Sequence, residues 1–291
     1  MKPFDSVLDK KGQINPEEKG NMADYFTSHC RNSVEAVIKK SIRIFEQLLY
    51  PLKCLKCGVY LDPDTVLPHT MEACFCELCL AAGFYPIDPP FCTKCGLKFH
   101  TGFNENHMCE ACLKTPLKIE TVRAVAEYKG ITKEAIQLFK YQSRLSVVKV
   151  LERLLFQAFL QYYATCPIDL ILPIPLHRTK LMKRGFNQAF LLVRNFVKSY
   201  QHTFDKPPDW KIDIASLTRI KKTQPQTGFD MDQRKFNLKN AFKVVNQRAI
   251  KNKHILLIDD VFTTGATCNE AAKQLLKHGA KKVDALVLAR T

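Results

Sequence analysis

The chain of 291 residues lacks both a long apolar run and an apolar leader. Its longest apolar stretches fall far short of the roughly 20 residues that a membrane-spanning helix needs. In place of the apolar core of a signal peptide, the N-terminal region carries four acidic residues, Asp5, Asp9, Glu17 and Glu18. We therefore expect no transmembrane segment and no export, and we predict a cytoplasmic location.

Twelve cysteines are present, and without an export signal they do not suggest a disulfide framework. Eight of them form four CxxC pairs: Cys54 and Cys57, Cys76 and Cys79, Cys92 and Cys95, Cys109 and Cys112. One such pair supplies two thiolates to a tetrahedral Zn²⁺, and a second pair completes the shell. The thioredoxin-like βαβ setting of a redox CxxC is absent here. The sequence therefore predicts two Cys₄ zinc sites.

The pairing of the four CxxC segments is open at this stage. We expect neighbours to share a site, the first pair with the second and the third with the fourth, as in a double zinc ribbon. Crossed pairing is the alternative. Cys74 lies two residues before Cys76 and is a further candidate ligand.

The basic charge is confined to one part of the chain. Residues 1–118 hold 14 Lys and Arg against 14 Asp and Glu, whereas residues 119–291 hold 30 against 14. The whole formal excess of +16 therefore lies in residues 119–291. A positive field of this size favours polyanions, including nucleic acid.

Residues 255–267 carry the most informative pattern. The apolar run from Ile255 to Ile258 predicts a buried strand, and two carboxylates, Asp259 and Asp260, follow it. The next segment is a loop of small hydroxyl residues and one glycine, residues 263–267, which leads into a helix predicted over 269–278. Free N–H groups at a helix N-terminus bind phosphate, and the carboxylates are placed to accept hydrogen bonds from sugar hydroxyls. The pattern therefore predicts a site for a phosphorylated sugar.

Strands and helices alternate along the rest of the basic part. The periodicity predicts strands at 122–128, 169–173, 255–258 and 283–288, and helices at 132–142, 146–164, 185–200 and 269–278. This alternation is typical of an α/β domain with a mostly parallel sheet covered on both faces. Ligands of such sheets bind at the carboxyl ends of the strands, which is where the two aspartates are expected.

The segment Asp-Asp-Val-Phe-Thr-Thr-Gly-Ala-Thr closely resembles the phosphoribosyl-pyrophosphate (PRPP) motif of type I phosphoribosyltransferases. The resemblance implies that Asp259 and Asp260 hold the ribose hydroxyls, and that PRPP binds with Mg²⁺. It implies that the 5-phosphate is held by Thr263, Thr264, Gly265, Ala266 and Thr267. A pyrophosphate loop is implied at Pro175, Leu176, His177 and Arg178. A mobile loop would deliver Lys221 or Lys222 to the departing pyrophosphate.

Further motifs make the match more specific. Besides the cysteine pairs, they include Lys140-Tyr141, Pro-Ile-Pro-Leu at 173–176, Arg-Gly-Phe-Asn-Gln at 184–188 and Arg-x-x-Asn-x-x-x-Ala-Phe at 234–242. Together they resemble the ComF family over about residues 45–291. The resemblance implies a role in natural transformation, in handling incoming single-stranded DNA at the cytoplasmic face, with other competence machinery at the inner membrane as partners.

The domain organisation follows from these patterns. We predict a polar extension at 1–32 that we expect to be disordered, and an amphipathic helix at 33–50. A double zinc ribbon is predicted at 51–118. A type I phosphoribosyltransferase-like domain is predicted at 119–291.

Two function classes remain open. One is a PRPP-binding, zinc-containing competence factor that acts on single-stranded DNA through a cationic face of Arg178, Lys180, Lys183 and Arg184. The other is a phosphoribosyltransferase that moves phosphoribose from PRPP to an unidentified acceptor. No hood segment names an acceptor base, and no aromatic run marks a stacking platform for single strands. The four cations also have a plainer interpretation, a solvated basic surface.

Overall fold

The computed structural model of the chain describes residues 51–62, 64–67, 69–100, 105–142, 145–221 and 238–291. One compact unit spans Lys53–Thr291. The predicted extension at 1–32, the amphipathic helix at 33–50 and Lys222 lie outside the described residues. The predicted boundary at residues 118 and 119 falls inside the compact unit and stays a prediction.

A five-stranded parallel sheet forms the centre of this unit, in the order β1-β7-β6-β2-β3. The sheet strands are β1 (Val122–Glu127), β2 (Leu170–Pro173), β3 (Lys211–Ile212), β6 (His254–Phe262) and β7 (Lys282–Arg290). An antiparallel pair of short strands, β4 (Leu217–Arg219) and β5 (Phe242–Val244), stands apart from it. The predicted α/β class with a mostly parallel sheet is confirmed.

The two longest strands, β6 and β7, pair over nearly their whole length. Leu256 and Ile258 of β6 pack on one face of the sheet, and Ile255 and Leu257 pack on the other. Burial on both faces explains the continuous apolar run, because a parallel strand covered by helices has no solvent-facing side. β6 continues to Phe262, so the aspartate pair lies inside the strand and not after it.

Nine helices within the described ranges cover the sheet and the cysteine-rich part. Their bounds are α1 (Glu77–Gly83), α2 (Glu110–Lys114), α3 (Gly130–Gln142), α4 (Leu145–Tyr163), α5 (Arg178–Arg184), α6 (Gln188–Leu191), α7 (Phe196–Phe204), α8 (Gln247–Ile250) and α9 (Ala266–Lys277). Helices α3 and α4 pack on one face of the sheet and α9 on the other. None of these helices combines the length and apolarity that crossing a bilayer requires.

The prediction of one helix over 185–200 is wrong. Gly185 takes the left-handed conformation that ends α5, with φ of 80°. Asn187 then starts the short helix α6 by accepting a hydrogen bond from the N–H of Ala189 at 2.9 Å. Asn195 interrupts the segment again, because its backbone N–H and its side-chain amide both donate to the buried carboxylate of Glu152, at 2.8 and 2.9 Å.

The cysteine-rich part packs directly on the sheet domain. A Cβ at Gly130, the first residue of α3, would lie 2.2 Å from the carbonyl oxygen of Gly83 at the end of α1. A Cβ at Gly96, next to the third cysteine pair, would lie 2.8 Å from the carbonyl oxygen of Val122 in β1. Both contacts require glycine, because no side chain fits between the two backbones. The cysteine-rich part is therefore held against α3 and β1 at backbone distance.

Candidate functional site

A cavity of about 360 Å³ opens at the carboxyl end of the sheet, next to the end of β6. Its charged lining consists of Lys140, Lys180, Arg184, Arg219, Asp259 and Asp260. Tyr128 and Tyr141 also line it. Four cations and two carboxylates thus surround one space, as expected for a polyanion that also carries hydroxyl groups.

Asp259 and Asp260 are both buried although they carry carboxylates. Since neighbouring strand residues point to opposite faces, the two side chains have different partners. Asp259 accepts the backbone N–H of Asp260 at 2.9 Å and lies 3.8 Å from the thiol of Cys268 in α9. Asp260 pairs with Lys140, whose Nζ lies 2.9 Å from Oδ1. Asp260 Oδ2 is buried with no hydrogen-bond partner among the described residues.

Burial and the neighbouring charge of Asp260 raise the pKa of Asp259 to about 7, although Lys140 and Arg219 act in the other direction. The pKa of Lys140 is raised, because pairing with Asp260 outweighs the effect of its burial. Within the described residues, Asp260 Oδ2 is thus the oxygen of the acid pair left with no donor. A ligand that brought hydroxyl groups would supply one.

The cations are crowded as well. Burial lowers the pKa of Lys180, and the nearby charges of Arg219, Arg184 and Lys140 lower it further. Like charges gathered in a partly buried space repel one another, and a bound anion relieves that repulsion. A bound anion of any kind would therefore be favoured among these cations.

The loop between β6 and α9 has the shape of an anion site. Gly265 is the N-cap residue of α9 and adopts a left-handed conformation with φ of 74°. A Cβ there would lie 2.3 Å from the ring of Phe262. The N-cap glycine has no side chain that could accept hydrogen bonds from the first N–H groups of this 12-residue helix. These N–H groups face the loop and are available to a bound anion. Thr264 contributes one local bond, accepting from the N–H of Ala266 at 3.4 Å.

The structure divides the residues expected to hold PRPP. The cavity lining includes Asp259, Asp260, Thr263, Gly265, Ala266, Thr267 and Leu176. Five other expected residues are not part of the lining: Thr264, Pro175, His177, Arg178 and Lys221. His177 caps α5, since its Nδ1 accepts from the N–H of Thr179 at 3.3 Å.

The four residues of the expected DNA face are divided in the same way. Lys180 and Arg184, one helical turn apart on α5, line the cavity, and Arg184 also donates to Gln188 at 2.7 Å. Arg178 and Lys183 are exposed to solvent. The α5 helix therefore presents cations both to the cavity and to the outside.

Sequence reasoning assigned no role to two cations of the cavity, Lys140 and Arg219. Lys140 lies near the end of α3. It belongs to the Lys140-Tyr141 motif, which contributes to the resemblance to the ComF family but was given no functional role. Arg219 ends β4 and lies over the ring of Phe242 at 5.5 Å. Both come from segments far from residues 255–267, so their approach to the aspartates depends on the fold.

The eight CxxC cysteines form two groups that could each hold a metal ion. The groups are Cys54, Cys57, Cys76 and Cys79, called here cluster 1, and Cys92, Cys95, Cys109 and Cys112, called cluster 2. Neighbouring pairs share a cluster, as expected, and crossed pairing is not found. Sulfur atoms from different pairs lie 3.6 Å apart in cluster 1 and 3.7 Å apart in cluster 2. Four Zn–S bonds of about 2.3 Å in a tetrahedron give a separation of about 3.8 Å.

Backbone donors in cluster 2 favour the thiolate form of Cys92, whereas burial and the neighbouring sulfurs raise the pKa of Cys109 and Cys112. The N–H groups of Cys95 and Cys109 donate to the sulfur of Cys92 at 3.4 and 3.3 Å. Although burial raises the pKa of Cys92, these donors bring it down to about 7. Cys74 differs: it belongs to neither cluster, and burial raises its pKa to about 11.

The chain is similar in sequence to known proteins. Residues 213–291 match the family model "Phosphoribosyl transferase domain". Competence protein F of Haemophilus influenzae is 32% identical over 209 residues, which cover 69% of this chain and 85% of that protein. The chain belongs to the ComF family. Its ComF relatives also include the DNA utilization protein YhgH of Escherichia coli K12, 31% identical over 74% of this chain and 95% of that protein. Competence protein ComFC of Bacillus subtilis is 27% identical over 84% and 97%.

Solved structures give remoter likenesses to this ComF chain. The allosteric regulatory enzyme of purine biosynthesis is 14% identical, covers 52% of this chain and 29% of its own, and gives a TM-score of 0.32. A hypoxanthine phosphoribosyltransferase from Staphylococcus aureus is 12% identical, covers 48% and 63%, and gives a TM-score of 0.30.

We expect the purified ComF chain to carry about two metal ions, one per cysteine cluster. Replacing one ligand, as in Cys112→Ser, should reduce the content to about one ion, because three sulfurs do not close a tetrahedral site. Metal analysis of protein prepared without chelator measures this. Cys74→Ser is the matched control and should keep both ions. A metal-free wild type, or a loss of metal in the control, would contradict the assignment.

The raised pKa of Asp259 predicts how stability depends on pH. Since the folded pKa of about 7 lies above the ordinary value of 3.8, ionisation disfavours the folded state, and the unliganded protein should lose stability as pH rises between these values. Asp259→Asn should therefore melt at a higher temperature than wild type at pH 8, and the advantage should vanish near pH 4.

Thermal melts from pH 4 to 8 test this, with Asp284→Asn as the control of opposite sign. The pKa of Asp284 is lowered, because hydrogen bonds from His254 and Thr121 outweigh its burial. Its removal should therefore destabilise the protein at neutral pH. An Asp259→Asn variant that melts below wild type at pH 8 would refute the explanation.

Proposed function

We propose that this chain is a PRPP-binding, zinc-containing competence factor that acts on incoming single-stranded DNA during natural transformation. The observation that carries the proposal is the cavity at the end of β6. There a helix N-terminus, a buried acid pair and four cations converge on one space. PRPP has a matching chemistry, with one phosphate, ribose hydroxyls and a pyrophosphate.

Each part of PRPP has a candidate partner. The 5-phosphate would lie on the loop before α9, where the N–H groups of the first turn are available. The ribose hydroxyls would donate to the acid pair, in particular to Asp260 Oδ2. The pyrophosphate would lie among Lys180, Arg184 and Arg219. Mg²⁺ bound with PRPP would neutralise part of the pyrophosphate charge.

Zinc is proposed as the metal of both cysteine clusters. Four thiolates with the sulfur separations of a tetrahedron are the ligand set that Zn²⁺ prefers in structural sites. A bound ion would hold the CxxC segments together and keep them against β1 and α3. Its role would then be structural.

The DNA role is supported by charge and by relatives. The exposed cations Arg178 and Lys183 lie on the same helix as two cavity residues, in the part of the chain that holds the whole excess of +16. Related proteins bear the names competence protein and DNA utilization protein. We therefore propose that single strands bind along α5, next to PRPP.

Phosphoribosyl transfer to an unidentified acceptor is the second candidate, and Asp259 favours it. A carboxyl group whose pKa is about 7 can accept a proton from an attacking acceptor at neutral pH. In that reaction the acceptor forms a bond to C1 of the ribose, and pyrophosphate leaves with its electron pair. Pyrophosphate release that requires both PRPP and an acceptor would decide for the enzyme.

PRPP with Mg²⁺ should raise the melting temperature of the wild type, because a ligand that binds the folded state stabilises it, by about 2.7 kcal/mol at 100 times Kd. Asp260→Asn should abolish the shift, because it removes a carboxylate oxygen that would accept a hydrogen bond from a ribose hydroxyl. Gly265→Ala should abolish it as well, because the added methyl group clashes with the ring of Phe262. Differential scanning fluorimetry measures the shift. The control Asp205→Asn changes an exposed aspartate and should respond like wild type. If Asp260→Asn and Gly265→Ala also respond fully, PRPP does not bind at this loop.

Single-stranded DNA should bind with a strong salt dependence, about 0.7 log units per log unit of salt for each phosphate neutralised. The double variant Arg178→Ala/Lys183→Ala should weaken DNA binding and reduce this slope, because it removes two exposed cations of α5. Fluorescence anisotropy with a labelled oligonucleotide measures both quantities.

Lys273→Ala/Lys277→Ala is the matched control for DNA, since it removes two exposed cations from α9. That helix begins at the cavity, and its last turn points to the other end of the sheet. Equal losses in the two double variants would mean that DNA recognises net charge alone. Binding that ignores salt would argue against the DNA role.

A further inference from the structure

Arg290 touches both cluster 2 and the loop that begins α9. It stands at the end of β7, and its register partner in β6 is Phe262, directly before the loop. Its guanidinium group donates hydrogen bonds in both directions.

On the loop side, Arg290 Nη1 donates to the carbonyl oxygen of Thr263 at 2.8 Å and to that of Phe262 at 3.3 Å. The guanidinium carbon also lies 5.1 Å from the centre of the Phe262 ring. That ring is the surface on which Gly265 rests. Arg290 therefore sets the position of the first loop residue and of the ring beneath the loop.

On the cluster side, Arg290 Nε donates to the carbonyl oxygen of Cys95 at 3.3 Å, and Nη2 lies 3.8 Å from the sulfur of Cys95. The segment 92–96 is itself held to β1. The N–H of Val122 donates to the carbonyl oxygen of Lys94 at 2.8 Å, and Arg123 donates to that of Thr93 at 3.1 Å. A shift of Cys95 would thus be transmitted to Arg290.

We propose that Arg290 is a positioning residue that couples metal binding in cluster 2 to the geometry of the phosphate loop. Metal in cluster 2 fixes the sulfur and carbonyl of Cys95, Cys95 orients the guanidinium, and the guanidinium holds Thr263 and Phe262. Partners of metal ligands of this kind orient the ligands, and the dependence runs both ways. The inference rests on the proposed function, since it regulates the same loop.

Cluster 1 has a longer route to the cavity. It meets the sheet domain where Gly83 touches Gly130, and where Lys56 and Glu134 form an ion pair of 3.6 Å. Gly130 lies ten residues before Lys140 on α3, a distance of about 15 Å along a helix. Loss of metal from cluster 1 should therefore leave the phosphate loop nearly unchanged.

PRPP affinity, measured by calorimetry with Mg²⁺ on the full chain, tests the positioning role. Arg290→Gln and Arg290→Lys should each weaken PRPP binding about tenfold or more, the scale seen when a partner of a metal ligand is removed. Arg290→Lys keeps the positive charge but lacks the branched guanidinium group, which donates to Cys95 on one side and to Thr263 on the other. Arg248→Gln is the matched control, because Arg248 is an exposed arginine that neither lines the cavity nor contacts segment 92–96, and it should bind PRPP like wild type. Wild-type affinity in Arg290→Lys would overturn the proposal.

Hydrogen exchange supplies a readout that needs no PRPP. Cys112→Ser, which opens cluster 2, should speed amide exchange in the peptide covering residues 262–268, whereas Cys79→Ser, which opens cluster 1, should not. Slow exchange in β6 and β7 confirms that each variant is folded. Adding Cys112→Ser to Arg290→Gln should produce little further change, as expected for two steps of one route.

The outcomes separate the coupling from the proposed function. Additive effects of the two substitutions, or an equal response to both cysteine variants, would refute the coupling even if PRPP binds well. If the loop responds through Arg290 while the wild type ignores PRPP, the coupling stands and the PRPP assignment fails.

Discussion

The burial of two adjacent carboxylates at the end of β6 is the constraint on which the site depends. A lone buried carboxylate is costly, and two side by side are more so, which is why the pKa of Asp259 rises to about 7. Lys140 offsets part of the cost by pairing with Asp260 at 2.9 Å. The remaining cations gather around the same space. The site therefore holds unfavourable electrostatic energy that a ligand with hydroxyls and phosphates can relieve.

The rest of the unit keeps that arrangement rigid. Strands β6 and β7 are buried on both faces, so the aspartates cannot move without disturbing the core. The cysteine-rich part meets α3, which carries Lys140, and the end of β7, which carries Arg290. The first contact is between the backbones of Gly83 and Gly130, and the second is a hydrogen bond from the Arg290 guanidinium group to the carbonyl oxygen of Cys95. A segment that looks like a separate small domain in sequence is thus in contact with α3, whose Lys140 and Tyr141 line the cavity.

Local patterns predicted local structure well. The buried apolar run from Ile255 to Ile258 and the neighbour pairing of the CxxC segments folded as expected, because both depend on residues close together in sequence. The acid pair was expected after the strand and the loop up to Thr267, whereas β6 includes both aspartates and α9 begins at Ala266. The helix over 185–200 was predicted wrongly, since the bond from Asn195 to Glu152 joins residues 43 apart. The sequence did not predict roles for Lys140, Arg219 and Arg290, because their partners are also distant in sequence. Their partners lie in distant segments, and only the packed sheet brings them together.

A crystal structure of the full chain with PRPP and Mg²⁺ tests the central claim most directly. We expect the 5-phosphate on the N–H groups of residues 266–268 and a ribose hydroxyl on Asp260 Oδ2. We expect the pyrophosphate within reach of Lys180 and Arg184. PRPP bound elsewhere on the chain, or an empty loop at saturating ligand in the crystal, would contradict it.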